Sequence, residues 1–114
     1  MKKRLEKINS LIKEELSKII QKMVEFPKDT LVTLTRVVTT EDLKECKVFF
    51  SCYPEKNFNR VLKILESEIY FIQKLLNQRL IIKKVPKIKF VKEQKTIEAA
   101  RIDEILEKLK KEKK

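Results

Sequence analysis

Glycine and histidine are both absent from the 114-residue sequence. Without glycine the chain can form neither a glycine-rich phosphate loop nor a dinucleotide-binding fingerprint, because both need a close approach of the backbone to the ligand. Without histidine it lacks the usual proton shuttle at neutral pH and the commonest metal ligand of proteins. We therefore expect no cofactor and no metal site.

Residues suited to catalysis are also scarce. Asp29, Asp42 and Asp103 are the only aspartates, and each stands at a different predicted turn or helix start. Cys46 or Cys52 as a nucleophile would need a histidine partner, which the chain does not contain. We predict no catalytic residues and no enzymatic activity.

The two cysteines are too far apart to pair with one another. Cys46 and Cys52 belong to one predicted strand, where six residues span about 20 Å. A disulfide needs Cα atoms within about 7 Å of each other. We expect two free thiols that behave as small hydrophobic side chains, a reducing cytoplasmic environment, and a monomer that folds without disulfide or metal.

Long apolar segments are missing as well. No run of about 18 apolar residues occurs, so the sequence predicts no membrane-spanning helix. The segment Met1–Arg4 is rich in basic residues, but no apolar stretch follows it as in a signal peptide. We therefore predict no secretory signal and no insertion into a membrane.

What the sequence has in excess is positive charge. Lysine and arginine number 28 against 17 acidic residues, which gives a net charge of +11. The segment Gln73–Lys95 holds eight basic residues and one acid, so it carries +7 of this total, whereas Leu5–Phe26 balances four bases against four acids. A surface that served only solubility would spread its lysines, so this concentration favours contact with a polyanion.

The candidate phosphate contacts follow from this charge and from the strand pattern. Lys87 and Lys89 share one face of a predicted strand with Cα atoms about 6.6 Å apart, a spacing that matches adjacent phosphates of a nucleic acid strand. Charge alone does not separate RNA from DNA or from a lipid surface. The predicted RNA-binding residues are Arg36, Lys74, Arg79, Lys83, Lys84, Lys87, Lys89 and Lys92.

Apolar residues at spacings of three and four predict a first amphipathic helix of about five turns. The helix should end near Phe26, because a residue before proline avoids the helical conformation. The predicted buried face comprises Leu5, Ile8, Ile12, Leu16, Ile19, Ile20 and Met23.

Two β-rich runs, Leu31–Thr39 and Cys46–Tyr53, predict a hairpin. In the second run alternate residues share an apolar face, and we predict that Phe50 lies in the core. In the first run the alternation breaks at Arg36, which is consistent with a β-bulge, a feature that re-aims side chains. The residues of the apolar face are Cys46, Val48, Phe50 and Cys52.

A second helical region should run from Asn57, its predicted N-cap, to about Leu80. Ser67 marks either a junction between two helices or a point within one straight helix, and the sequence leaves both possibilities open. Pro86–Val91 predicts a third strand after a connector. Thr96 is the predicted cap of a last helix, and residues 110–114 should form a disordered lysine-rich tail.

This order of elements predicts an α+β fold. The first two strands should pair antiparallel, and a helical crossover should bring the third strand into the same sheet, with helices over one face. Three aromatic residues, Phe49, Tyr53 and Tyr70, could stack on nucleic acid bases. The alternative is that they are covered by protein, and this interpretation is the better one for Phe49.

Three stretches carry a family resemblance: LVTLTRVVTTEDLKECKVFFS, FIQKLLNQRLIIKKVPKIKFV and RIDEIL, in this order. Together they resemble the ribosome-binding factor A family of bacterial small-subunit assembly factors. The resemblance implies a KH-like type II fold of the α-β-β-α-α-β type with a C-terminal helix. The implied ribosome-binding domain spans residues 1–109, and residues 110–114 form the tail.

The resemblance also implies a function. It implies an RNA-binding protein that associates with free 30S subunits and 16S rRNA, and acts in late 30S maturation and processing of the 16S rRNA 5′ end. The sequence departs from the family at two places: Glu68-Ile69-Tyr70 replaces an Ala-x-Gly element, and Ala99-Ala100 replaces a frequent glycine. The alternatives are a basic membrane-surface protein and a protein adaptor without an RNA target.

Overall fold

The computed structural model describes residues 2–93. The predicted last helix, the boundary at residue 109 and the lysine-rich tail lie outside the described residues. A short 3-10 turn, Glu55–Asn57, leads into the second helix. The other elements are α1 (Lys2–Met23), β1 (Leu31–Thr39), β2 (Glu45–Tyr53), α2 (Phe58–Ser67), α3 (Ile69–Arg79) and β3 (Lys87–Lys92).

The strands form a mixed three-stranded sheet in the order β1-β2-β3. β1 pairs antiparallel with β2, and β3 pairs parallel with β2, as the helical crossover predicts. The order α-β-β-α-α-β is that of the KH-like type II fold, so the predicted fold class is confirmed. In the described part of the chain, no helix is long and apolar enough to span a bilayer.

The register of β1 and β2 shifts between Leu34 and Arg36, which confirms the bulge. Leu34 pairs with Phe50 and Arg36 with Phe49, so Thr35 is the extra residue. In a regular strand Arg36 would point to the same face as buried Leu34, because side chains alternate. The bulge reverses this phase, so Arg36 is exposed and Val37 is buried.

The helices cover one face of the sheet, and α1 packs against β1 and α3. The apolar stripe of α1 from Ile8 to Ile20 is buried as predicted. Met23 was wrongly assigned to this stripe, since it is 60% exposed. The helix ends there, and Val24, one turn after Ile20, fills the buried position and donates its backbone N–H to the Ile20 carbonyl oxygen at 3.1 Å.

The centre of the core is β2. Phe50 is fully buried, as predicted, with its ring stacked 5.0 Å from that of Phe58 and edge-on 6.2 Å from that of Phe90. Cys46 and Cys52 are both free thiols, as predicted. Burial raises the pKa of the Cys46 thiol, so at neutral pH this side chain acts as a small apolar group.

The second helical region is broken in two at Glu68, one residue after Ser67. Glu68 has φ −97° and ψ 0°, a conformation open to any L-residue, so the break needs no glycine. Asn57 stands at the predicted N-cap position but does not cap the helix with its side chain. That side chain instead donates a hydrogen bond to Thr30 Oγ1 at 2.9 Å, which ties the helix start to the segment before β1.

The hairpin turn between β1 and β2 shows how a chain without glycine makes a left-handed turn. Leu43 has φ 59° and takes the position that glycine usually fills. Asp42 supports the turn, because its Oδ1 accepts hydrogen bonds from Thr40 Oγ1 at 2.6 Å and from the Lys44 N–H at 3.1 Å. These bonds lower the pKa of the Asp42 carboxyl, and the bond from Thr40 has the largest effect.

Candidate nucleic-acid interface

Within residues 2–93, the face of the sheet that points away from the helices is open. Its side chains are the alternate residues of each strand, and neighbouring strands place them in rows about 4.8 Å apart across the sheet. Successive rows along the strands are about 6.6 Å apart. The rows are Arg36–Phe49–Val91, Val38–Lys47–Lys89 and Glu45–Lys87.

This open sheet face, defined by those rows, gathers cations from all three strands. Arg36, Lys47, Lys87 and Lys89 are all exposed on it. Sequence reasoning missed Lys47, because it lies outside the basic segment and only strand pairing places it beside Lys89. The signal that could have found it was its position two residues before Phe49 on the same strand face.

The connector after α3 adds charge at the hairpin end of this face. Lys83 and Lys84 are exposed there, and the ammonium group of Lys84 contributes to the lowered pKa of Asp42 in the hairpin turn. The Lys87 N–H donates to the Lys44 carbonyl oxygen at 3.0 Å, which brings the start of β3 to the same turn. The connector lysines therefore adjoin Lys87 and Lys89.

Arg36 is held in a defined position on the open sheet face. Its guanidinium carbon lies 3.9 Å from the centre of the Phe49 ring, and its Nε donates to both carboxylate oxygens of Glu93, at 3.2 and 3.1 Å. Phe49 is half-buried, and Arg36 is the group that lies over its ring. Among the described residues, the side chain over the Phe49 ring therefore comes from the sheet itself and not from a helix.

Three of the predicted RNA-binding residues lie away from the open sheet face. Arg79 reaches from α3 to α1, where its Nη1 lies 3.4 Å from Glu15 Oε2. Lys92 belongs to the opposite strand phase, and its Nζ lies 3.6 Å from Glu55 and 4.9 Å from the Phe58 ring centre. Lys74 is exposed on α3, in the helical layer. The structure thus places the basic residues of one sequence segment on two different surfaces.

Gln73 fixes the strand that carries Lys87 and Lys89. Its Oε1 accepts a hydrogen bond from the Ile88 N–H at 2.8 Å, and its Nε2 donates to the Pro86 carbonyl oxygen at 3.1 Å. These bonds satisfy backbone groups of an edge strand that the sheet leaves unpaired. No feature of the sequence singled out Gln73, because a polar residue in an amphipathic helix is normally solvated.

The two tyrosines are available to a partner. Tyr53 and Tyr70 are each 72% exposed, and the ring of Tyr70 rests edge-on against Phe71 at 5.7 Å between centroids. Tyr70 stands in α3 directly after the helix break, where the resemblance expects glycine. The described residues thus offer cations and aromatic rings, which are groups that bind a polyanion by charge and stacking.

Comparison with known proteins identifies relatives along nearly the whole chain. The family model described as Ribosome-binding factor A matches residues 4–106. Ribosome-binding factor A of Halothermothrix orenii is 33% identical over 112 residues, covering 97% of this chain and 92% of that protein. The Coxiella burnetii protein of the same name is 32% identical over 108 residues, covering 95% of this chain and 91% of its own.

Solved structures share the fold. The crystal structure of ribosome-binding factor A from Thermus thermophilus superposes with a TM-score of 0.68 at 20% identity, covering 77% of this chain and 93% of that one. A homology model of the Thermus thermophilus protein, fitted into a cryo-EM map of its 30S complex, gives a TM-score of 0.61 at 21% identity. It covers 73% of this chain and 88% of the other.

Proposed function

The chain belongs to the ribosome-binding factor A family, and from this premise we propose that it binds the free 30S ribosomal subunit through 16S rRNA during late subunit maturation. The homology model that was fitted into a 30S complex supports the choice of partner, since its fold is that of this chain. The ribosome-binding unit spans residues 1–109, followed by the lysine-rich tail. The protein acts in the cytoplasm as a monomer.

One observation carries this proposal: exposed cations are concentrated on the open sheet face and the connector. Lys87 and Lys89 are two residues apart on β3, Lys83 and Lys84 lie in the connector before it, and no carboxylate accepts a salt bridge from the four among the described residues. Unpaired cations at strand spacing are suited to successive phosphates. Arg36 and Lys47 extend the same surface across the sheet.

The mechanism is binding without catalysis. A protein that prefers one rRNA conformation shifts the population toward it by its differential affinity, and no bond is made or broken. Held in this way, an immature rRNA segment would remain accessible for processing of the 16S rRNA 5′ end. The protein therefore serves as an assembly factor and not as an enzyme.

A specific observation disfavours the membrane-surface alternative. Such a protein inserts the apolar face of an amphipathic helix between lipids. In α1 that face is already used, because Ile12, Leu16 and Ile19 are fully buried against the protein. The outer face of the helix carries charges of both signs, as in the pair of Lys18 with Glu14 at 3.5 Å.

The proposal is tested by co-sedimentation with purified 30S, 50S and 70S particles. We expect the wild-type chain to sediment with free 30S subunits, and a variant with Lys83, Lys84, Lys87 and Lys89 all changed to glutamate to lose this association. The four side chains are exposed, so the variant should keep its fold, which a thermal melt checks. Each phosphate contact contributes about 0.7–0.9 to the salt slope of binding.

The matched control reverses Lys7, Lys13, Lys18 and Lys22, which are exposed on α1 and change the net charge equally. We expect this variant to retain most of its 30S binding. Equal loss in both variants would mean that overall charge acts through its long-range field, and the proposed surface would be wrong. Binding to anionic vesicles but not to 30S subunits would overturn the function itself.

A further inference from the structure

The stack of Arg36 on Phe49 goes beyond a charged surface. The guanidinium carbon lies 3.9 Å from the ring centre, and the bulge at Thr35 brings Arg36 to this face. Glu93 accepts from Nε with both carboxylate oxygens, which limits rotation of the guanidinium group. The result is a flat cation held on both a ring and a carboxylate.

Part of this cation remains free for a ligand. The Arg36 side chain is 54% exposed although the Phe49 ring lies against it. Among the described residues, neither Nη atom of Arg36 makes a hydrogen bond. These two nitrogens offer donors in a fixed planar fork, which lysine does not have.

The surroundings of the stack also suit one nucleotide. A shallow depression on the open sheet face is lined by Arg36, Phe49 and Val91 in one row, by Lys47 and Lys89 in the next, and also by Phe90 and Lys92. The rows are about 6.6 Å apart along the strands. A base above Arg36 would thus leave its backbone within reach of the two lysines.

We propose that Arg36, supported by Phe49 and oriented by Glu93, forms a stacking platform for one unpaired base of single-stranded RNA, with the flanking phosphates bound by Lys47 and Lys89. Unpaired bases stack on aromatic rings and on arginine planes, whereas the bases of a duplex are enclosed in its helix. This inference rests on the proposed function and specifies its ligand. Glu93 is a positioning residue here, since it acts only through Arg36.

The second cation–ring pair of the molecule does not form such a platform. Lys92 Nζ lies 4.9 Å from the centre of the Phe58 ring and is paired with Glu55. An ammonium group has no plane on which a base can lie. The Phe58 ring itself is stacked on Phe50 in the core. The two sites therefore resemble each other only in having a cation near a ring.

The platform is tested by a thermodynamic cycle between protein and ligand. Fluorescence anisotropy would measure binding of a short oligoadenylate and of an abasic ribose-phosphate strand of the same length, by the wild-type chain and by Arg36→Lys. This substitution keeps the charge and removes the plane. We expect about tenfold or greater loss of affinity for oligoadenylate, because one stacked base contributes that much, and little change for the abasic strand.

Two further variants make the result decisive. Phe49→Leu keeps an apolar side chain but removes the support, so it should show the same base-dependent loss. Lys89→Gln should weaken binding of both strands equally and lower the salt slope by about 0.7. Thermal melts would establish that each variant is folded.

An Arg36→Lys loss that is equal for the two strands would overturn the platform, as would no loss at all. Failure of the wild-type chain to bind oligoadenylate would also overturn it, since a stacking platform accepts any base. The proposed function fails by a different result, the absence of wild-type protein from the 30S fraction in co-sedimentation.

Discussion

The two faces of the sheet differ more than any other pair of regions in this molecule. Phe49 and Phe50 are consecutive residues of β2, yet Phe50 is fully buried beneath the helices and Phe49 lies half-exposed under Arg36. The covered face is apolar, with Cys46, Val48 and Phe50 in one line. The open sheet face is basic along most of its length.

If the open sheet face is the binding surface that we propose, one small sheet serves both folding and binding. Side chains alternate along a strand, so each strand contributes to both tasks without interference between them. Stability depends on the helices and the covered face, where apolar area is removed from water. Like charges that lie close together on the open sheet face repel one another. The core tolerates this destabilisation, because the core lies on the other face of the sheet.

The largest expected effect comes from the covered face. Phe50→Ala should lower the free energy of unfolding by about 3–5 kcal/mol, since it leaves a cavity between the rings of Phe58 and Phe90. Denaturant unfolding followed by circular dichroism would measure it. An unchanged midpoint would mean that the faces of β2 are assigned the wrong way round.

The neighbouring substitution sharpens the comparison. Phe49→Ala should cost only about 1 kcal/mol of stability, because it removes an exposed cation–ring contact and opens no cavity. It should nevertheless weaken 30S binding, whereas the fraction of Phe50→Ala that remains folded should bind normally. Comparable losses of stability in the two variants would show that the open sheet face also supports the fold.

A still smaller change in stability is expected from Lys47→Gln, close to zero for an exposed side chain. Its effect should appear in binding, as a decrease of about 0.7–0.9 in the slope of log affinity against log salt. The control is Lys7→Gln on α1, which has the same charge change and is also exposed. If both slopes fall alike, the open sheet face has no special role.

Another small effect concerns the turn that sets the register of β1 and β2, and hence which residues reach each face. The lowered pKa of Asp42 means that its carboxylate stabilises the folded chain above the ordinary pKa of 3.8, and that this contribution disappears as the pH falls through the lowered value. Asp42→Ala should therefore be slightly less stable than wild type at neutral pH. Melting curves of the two proteins should converge on strong acidification, and a constant difference would exclude this role.

Much of the fold was predictable from residue patterns. The bounds of β1 matched, and β2 began one residue early at Glu45. The apolar faces of α1 and β2 were correct apart from Met23, which is exposed, and from Leu5 and Cys52, which are only partly buried. Such features are local, because the spacing of apolar residues within one helix or strand is enough to show which of its sides is covered. The helix break near Ser67 was not decidable in advance, since Glu68 adopts its φ and ψ without any glycine to signal it.

The candidate site was less accessible to sequence reasoning. The basic segment drew attention to Lys83, Lys84, Lys87 and Lys89, which are exposed in the structure, and their role in binding RNA stays a prediction. The same criterion also included Arg79 and Lys92, which the structure pairs with carboxylates on other elements. The density of charge along a sequence does not show in which direction each side chain points. That direction decides whether two cations can contact the same ligand.

By itself, the sequence determined the elements, the buried faces of most of them, the pairing type of the strands and the excess of positive charge. Only the tertiary structure decided that Lys47 lies beside Lys89, that Gln73 fixes the edge strand, and that Arg36 lies on Phe49 with Glu93 at its Nε. Arg36 and Glu93 are 57 residues apart. Local periodicity carries no information on such contacts, because they arise from strand register and from one extra residue at Thr35 that reverses the phase of β1.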